Sequence, residues 1–247
     1  MGSIISNTDL RPLLGDIRIP KEHLERLQDY GPCELYVTPT NTVILTLPTR
    51  TMPISQFVEE NWVSPAAYGN VRNVYLVEQL TDGTRTNLFV KSPERLFNKI
   101  HSSDFWWGGR SSGEEPLLIK NNPAVEEQAF WEAVFLLELA KNGIKAETPQ
   151  AILITDPTEY RIIVKRIEGR GPTVRGPDPK ELASLVRELG LIPIDLSYYN
   201  LIIDRDGYLN IIDTNRWYWP PHTDNFTQRV LEAIEQSSTE ITPKPQF

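Results

Sequence analysis

The sequence predicts an α+β protein: a five-stranded antiparallel sheet with one long helix, followed by a shorter carboxy-terminal region. Three observations lead there. Short β-rich runs follow one another through turn residues instead of helices, which favours antiparallel pairing. One stretch alone, after Asn122, holds helical spacing for more than four turns. Near the end, two apolar runs flank Asp204-Arg205-Asp206-Gly207 as a hairpin.

The first elements are short. Pro20 to Tyr30 reads as a helix with Leu24 and Leu27 on one face and Gly31-Pro32 as its stop. Glu34–Val37 and Thr42–Leu47 are β-rich and turn at Thr38-Pro39-Thr40-Asn41. Residues 1–60 thus form a helix-plus-hairpin extension that packs on the region after it. From Trp62 the main sheet begins: Val63 to Val77 reads as strand, loop, strand, with Gly69 as the loop's one permissive residue. Asp82-Gly83 turns into Thr86-Asn87-Leu88-Phe89-Val90-Lys91, an apolar strand ending on a cation.

Residues 92–121 form a long polar segment carrying Phe105-Trp106-Trp107-Gly108-Gly109. Adjacent tryptophans do not stay solvated cheaply, so they either cover the core or meet a protein partner. Asn122 then caps a helix with Pro123 at its first position. Val125, Ala129, Ala133, Leu136, Leu137 and Ala140 repeat at helical spacing, and Asn142-Gly143 ends the run. Ala151–Ile154 and Tyr160–Val164 complete the five strands, turning at Asp156-Pro157. Gly169, Gly171 and Gly176 lead into the last region, where Pro179–Leu189 and Phe226–Ile234 read as short helices.

Composition narrows the function. The 247 residues, 40% hydrophobic and 23% charged, suffice for one two-lobed domain with a sizeable core. A net charge of -8 argues against direct, sequence-independent nucleic-acid binding. One cysteine, Cys33, excludes an internal disulfide and suits the cytoplasm, and with three histidines it cannot build an ordinary zinc site. No apolar run reaches spanning length, so no transmembrane segment is expected. Met1-Gly2-Ser3-Ile4-Ile5-Ser6 fits the loose myristoylation pattern at Gly2, although an unmodified tail is the better reading.

The chemistry concentrates between Pro193 and Asn215. An apolar lead-in delivers Asp195, Asn200 follows five residues later, and the hairpin carries the chain to Asp213. That order suits a phosphotransferase: one carboxylate accepts the hydroxyl proton of an acceptor, while Asn200 and Asp213 hold Mg²⁺ against the phosphates of ATP. Magnesium needs such converging oxygens and takes its other ligands from water and phosphate.

Asp195-Leu196-Ser197-Tyr198-Tyr199-Asn200-Leu201-Ile202, followed by Ile211-Ile212-Asp213, resembles the RIO family of atypical protein kinases. That family is related to aminoglycoside-phosphotransferase-like and lipopolysaccharide-kinase-like proteins. The match is specific over about twenty residues and weaker elsewhere. Pro193 stands where the family carries a histidine two residues before its catalytic Asp. Thr214-Asn215 replaces the rest of the usual Asp-Phe-Gly, and there is no long activation loop.

The resemblance implies a two-lobed protein-kinase-like fold: residues 61–168 as the N-lobe with its αC helix, and 169–247 as an abbreviated helical C-lobe. It implies that Asp195 is the catalytic base and that Asn200 and Asp213 are the metal ligands. Lys91 would pair the ATP phosphates and be held by a glutamate of αC, Glu132, with Glu127 the runner-up. Ser64 and Gly69 would meet phosphate oxygens, and Lys165 and Ile167 would lie at the hinge that takes adenine. The expected activity is that of a protein serine/threonine kinase or ATPase acting on a protein or small-molecule phosphoacceptor. Two alternatives stay open: a pseudokinase scaffold working through protein partners, and a small-molecule kinase of the aminoglycoside-phosphotransferase type.

Overall fold

The computed structural model describes residues 19, 21–68, 72–93, 99–100, 117–118, 125–156, 159–171, 186, 188–191, 193, 196, 198–215 and 217, with backbone alone at 67–68, 99–100, 117–118, 125–126 and 198. Gly2, Gly69, Trp106, Trp107, Asn122, Pro123 and Asp195 lie outside the described residues. The chain divides into two compact units, Met1–Leu96 with Pro123–Glu168, and Phe97–Asn122 with Gly169–Phe247.

The first unit opens with helix α1 (Lys21–Gln28), then strands β1 (Leu35–Val37) and β2 (Val43–Thr46). Two 3₁₀ turns, Ile54–Phe57 and Glu59–Asn61, lead to β3 (Ala66–Tyr68), β4 (Val74–Gln79) and β5 (Arg85–Lys91). The second unit contributes a two-stranded ladder of β6 (Lys99–Ile100) and β7 (Leu117–Leu118). The first unit resumes with α2 (Val125–Lys141), β8 (Thr148–Asp156) and β9 (Glu159–Lys165).

Seven strands, not five, form the main sheet, in the order β1-β2-β8-β9-β5-β4-β3. The difference is the hairpin of residues 35–46, expected as part of an extension. It joins the sheet because β2 pairs antiparallel with β8, Val43 opposite Ile154 and Thr46 opposite Ala151. Leu47 N donates to Gln150 O at 3.0 Å and continues that ladder by one step.

Both faces of the central strands are apolar, so the alternation of side chains feeds two cores. Val43, Leu45, Ile152, Ile154, Ile162 and Val164 face Leu27 of α1 and Ala129, Phe130, Ala133 and Leu137 of α2. Ile44, Ala151, Leu153, Ile163, Leu88 and Val90 instead enclose Phe57, with Met52, Ile54 and Trp62 packed around it. The 3₁₀ segment therefore covers one face and the helices the other. Burying both faces explains the continuous apolar runs of β2 and β8.

Helix α2 is buried on more sides than its expected stripe. Phe130, Val134, Phe135 and Leu139 are buried as well, whereas Ala140 is exposed. A helix apolar nearly all round is one enclosed by its neighbours. It ends in a Schellman motif: Ile144 N donates to Leu139 O at 2.9 Å, Gly143 N donates to Ala140 O at 3.1 Å, and Gly143 has φ +74°.

Three hairpins share one loop design, a turn closed by a left-handed residue. Thr38–Thr42 uses Asn41 (φ 63°), Leu80–Thr84 uses Gly83 (φ 86°) and Asp204–Tyr208 uses Gly207 (φ 86°). In each, the left-handed residue donates its amide to the first carbonyl, and the outer pair closes the ladder.

In the second unit, β10 (Gly169–Arg170), β11 (Leu201–Asp204) and β12 (Leu209–Ile211) form a three-stranded antiparallel sheet. Gly169 lies against the Ile203 carbonyl, where a Cβ would be crowded out. Val186 and Glu188 have helical backbone; the remainder of 179–189 and all of 226–234 are largely or wholly outside the described residues.

Candidate active site

In the first unit the polar chemistry gathers where β4, β5 and α2 meet. Lys91 closes β5, opposite Val74 on β4 and Ile162 on β9. Strand alternation turns it to the same face as Phe89, the face that α2 covers. The side chain is 4% exposed. A buried ammonium requires counter-ions, and two carboxylates supply them.

The first is Glu132 of α2, 1% exposed, with Oε1 3.6 Å from Lys91 Nζ. The second is Glu147, in the residue before β8, whose Oε2 accepts a hydrogen bond from Lys91 Nζ. Glu132 also takes a two-pronged guanidinium. Arg72 Nη1 donates to Oε2 at 2.7 Å and Nη2 to Oε1 at 2.8 Å. Arg72 belongs to the connection between β3 and β4, the connection that contains Gly69. Two cations and two anions thus form one buried group, Arg72-Glu132-Lys91-Glu147.

Of the two α2 glutamates weighed for Lys91, Glu132 is the one within reach. Glu127 is five residues earlier, about 140° round the helix at 100° per residue, and is partly exposed. Ser64 is not brought to this cluster. It precedes β3 with φ 29° and is exposed, whereas Arg72, Lys91, Glu132 and Glu147 are buried. Lys165 ends β9 opposite Leu88, three positions along from the rung that holds Lys91, and is exposed. Ile167 follows it, half-buried. Between them, Arg166 N donates to Asn87 O at 2.9 Å and fastens this stretch to β5.

No sequence pattern singles out Arg72 or Glu147. Both stand in connections, where charged residues ordinarily face water. The only sign in the sequence is position: each lies within two residues of a buried strand.

In the second unit the hairpin brings Asn200 and Asp213 to one end of β11 and β12. Tyr198–Asn200 is a 3₁₀ turn running into β11. Leu201 pairs with Ile211, and one step beyond, Ile212 N donates to Asn200 O at 2.9 Å. Asp213 follows directly with φ 63°. Asp is among the few residues that tolerate this left-handed backbone, and such outliers gather at functional positions. Asn200 and Asp213 are half-buried and Tyr199 is 92% exposed. Thr214 is wholly buried, and among the described residues its Oγ1 has no hydrogen-bond partner.

The far end of the same hairpin is fixed by Asp204. Its Oδ1 accepts from Tyr208 N at 2.8 Å and Asp206 N at 3.1 Å, and its Oδ2 from Asn210 Nδ2 at 3.0 Å. A carboxylate spent on closing the loop holds the two strands, and with them Asn200 and Asp213, in one register. Trp217 N donates to Thr214 O at 3.1 Å, and the buried Trp217 ring anchors the chain beyond Asp213.

The donor pair suits magnesium chemically. An amide carbonyl and a carboxylate on adjoining strand ends are hard oxygen ligands, few enough to leave positions for water and phosphate. Among the described residues no group of three or more His, Cys, Asp or Glu side chains is placed to hold a metal. A site with one carboxylate and one amide is not of that kind. Among the described residues, no helix is long and apolar enough to cross a membrane.

No family model matches the sequence, and no curated protein matches it. Among solved structures the chain is similar to WbdD in its co-crystal structure with the kinase inhibitor LY294002, with 11% identity and a TM-score of 0.34. That likeness covers 73% of this chain, which spans 38% of the length of the WbdD chain.

Proposed function

We propose that this chain binds Mg·ATP and transfers or hydrolyses its γ-phosphate, as a RIO-like protein serine/threonine kinase or ATPase of the cytoplasm. The observation that carries this reading is the burial of Lys91 at the end of β5, 3.6 Å from a glutamate of the one long helix. A strand-end lysine beside a helix glutamate is the arrangement by which kinase-fold phosphotransferases present an ammonium to the phosphates of ATP.

In this reading Lys91 steadies the ATP phosphates and Glu132 holds the Lys91 side chain in place. Asn200 and Asp213 would hold Mg²⁺, which when bound neutralises charge on the β- and γ-phosphates. Asp195 would orient the acceptor hydroxyl and take its proton, on the strength of its place five residues before Asn200. The hinge at Lys165–Ile167 would take adenine through backbone groups.

Incubating the protein with γ-labelled ATP and Mg²⁺ tests this, with protein extract in one arm and a metabolite pool in the other. Label transfer in the first arm identifies a protein acceptor, in the second a small-molecule acceptor, and free phosphate alone an ATPase. Asp195→Asn is expected to remove turnover while Mg·ATP still raises the melting temperature. Turnover undiminished by Asp195→Asn would refute the assignment.

The arrangement of Glu132 favours a second reading, a nucleotide-binding scaffold without turnover. Both its oxygens are engaged by Arg72, and Pro193 replaces the family's histidine. A protein that is stabilised by Mg·ATP but never consumes it, and whose partner binding survives Asp195→Asn, would be that scaffold.

A further inference from the structure

The face of β5 that carries Lys91 also carries Phe89, two residues back and about 7 Å along the strand. Phe89 is half-buried and pairs with Leu76 on β4 and Val164 on β9. Arg166, two residues beyond Val164, lays its guanidinium over the Phe89 ring, with Cζ 5.8 Å from the ring centroid. The same guanidinium reaches across β5 to β4, where Nη1 lies 3.7 Å from Glu78 Oε1. Those two side chains are 38% and 72% exposed.

A half-buried ring under a guanidinium is a stacking surface. A flat ligand between the two needs two van der Waals layers, about 7 Å, roughly an ångström more than the 5.8 Å observed. An ion pair as exposed as Arg166–Glu78 is weak and yields that distance readily. The backbone of Arg166 is committed elsewhere. Its N donates to Asn87 O at 2.9 Å, and its O accepts from Asn87 Nδ2 at 3.4 Å. The middle residue of Lys165–Ile167 therefore offers a ligand its side chain and not its peptide groups.

We infer that the nucleotide base is held by its faces, stacked on Phe89 under Arg166, so that the site takes nucleoside triphosphates with little regard to the base. The inference rests on the nucleotide reading, in which Lys91 marks the phosphate end; the base is one ribose away, a span like the step of about 7 Å from Lys91 to Phe89. Stacking tolerates any base because every base has a π-face. Strong discrimination requires hydrogen bonds to a base edge. Asn87 is then the specificity-determining residue. By occupying the Arg166 carbonyl it withholds an acceptor that would favour amino-bearing bases, adenine and cytosine, over guanine and uracil.

Titration calorimetry on the full chain tests it, with the Mg²⁺ complexes of ATP, GTP, CTP and UTP and with base-free Mg·tripolyphosphate as probes. The four nucleotides are expected to bind within about threefold of one another, and tripolyphosphate at least about tenfold more weakly, the scale of one stacked base. Phe89→Leu keeps an apolar side chain against the core and removes the ring. It should weaken all four nucleotides by a similar factor, about tenfold, and leave tripolyphosphate unchanged, a split that a merely structural role would not produce. If Phe89→Leu does not fold, Arg166→Met decides by the same split, since it removes the guanidinium from a partly exposed side chain. Asn87→Ala frees the Arg166 carbonyl and should favour ATP and CTP over GTP and UTP by about fivefold, the scale of one hydrogen bond. Wild-type binding of Mg·ATP more than about tenfold tighter than the other three would overturn the tolerance of bases and leave the nucleotide reading in place. Tripolyphosphate bound as tightly as the nucleotides would overturn the stacking seat. No binding of any probe would overturn both the seat and the nucleotide reading.

Discussion

Replacing Arg72 by methionine isolates one buried charge. The change keeps most of the side chain's apolar length and removes both hydrogen bonds to Glu132, at 2.7 and 2.8 Å. Glu132 is 1% exposed and cannot turn to water. Its other near cation, Lys91 at 3.6 Å, is shared with Glu147 and lies beyond ordinary hydrogen-bond range. Breaking one side of a buried pair costs about 3–5 kcal/mol. That is a large fraction of the roughly 5–15 kcal/mol that holds a domain folded. For a chain of this size each kcal/mol moves the melting temperature by about 2–4 °C, so a loss on the order of 10 °C is expected. Removing both partners, as Arg72→Met with Glu132→Met, should cost less than the single change, because the Glu132 carboxylate is no longer left buried without its guanidinium. Urea unfolding of the two single variants and the double gives the coupling, expected near 3 kcal/mol. With two units in the chain, the transition should be followed by hydrogen exchange in α2, which reports the first unit directly. A loss under about 1 kcal/mol for Arg72→Met, the scale of a solvated surface pair, would refute the reasoning, and so would single costs that merely add.

Three further outcomes follow from described geometry. Gly169→Ala would place a Cβ on the Ile203 carbonyl and 2.5 Å from Ile202 Cγ2, so it should separate β10 from β11 at about 1–3 kcal/mol; hydrogen exchange of residues 201–204 should accelerate, and unchanged protection would refute it. Burial pushes the Cys33 thiol from 9.0 up to about 11, so the folded state retains a proton that the unfolded chain releases. The associated stability is whole below about pH 9 and is lost as pH rises towards about 11. Urea midpoints should fall over that window and fall less in Cys33→Ala; Tyr30, raised by burial and by its hydrogen bond to Glu138, adds a loss of the same sign. Asp213→Gly accepts the left-handed backbone at φ 63° while deleting the carboxylate; thermal shifts with ATP should then no longer depend on Mg²⁺, and a preserved Mg²⁺ effect would sink the metal assignment.

Local features were legible where a residue type has a local cause. The three hairpin loops stand at Thr38–Asn41, Asp82-Gly83 and Asp204–Gly207, because Asn, Asp and Gly alone suit the left-handed or side-chain-closed positions there. The end of α2 at Asn142-Gly143 has the same origin. Sheet order was not legible. The β2–β8 pairing joins residues about a hundred positions apart, and it rests on register and on shared burial of Ile44 with Leu153, for which no short-range pattern exists. Lys91 and Glu132 could be named because strand end and helix face each have a period. Arg72 and Glu147 sit on connections without one, and their role appears only when the connections are folded over the sheet.

The pairing of β2 with β8 has a practical corollary for anyone trimming this protein. A fragment starting at residue 61 would discard β1, β2 and Phe57 together. The nine-residue strand Thr148–Asp156, nearly all apolar at its centre, would become a bare sheet margin with unanswered amides. Such a margin recruits copies of itself, so insolubility of that fragment would follow from the lost covering strands and would say nothing about the chemistry of the residues retained.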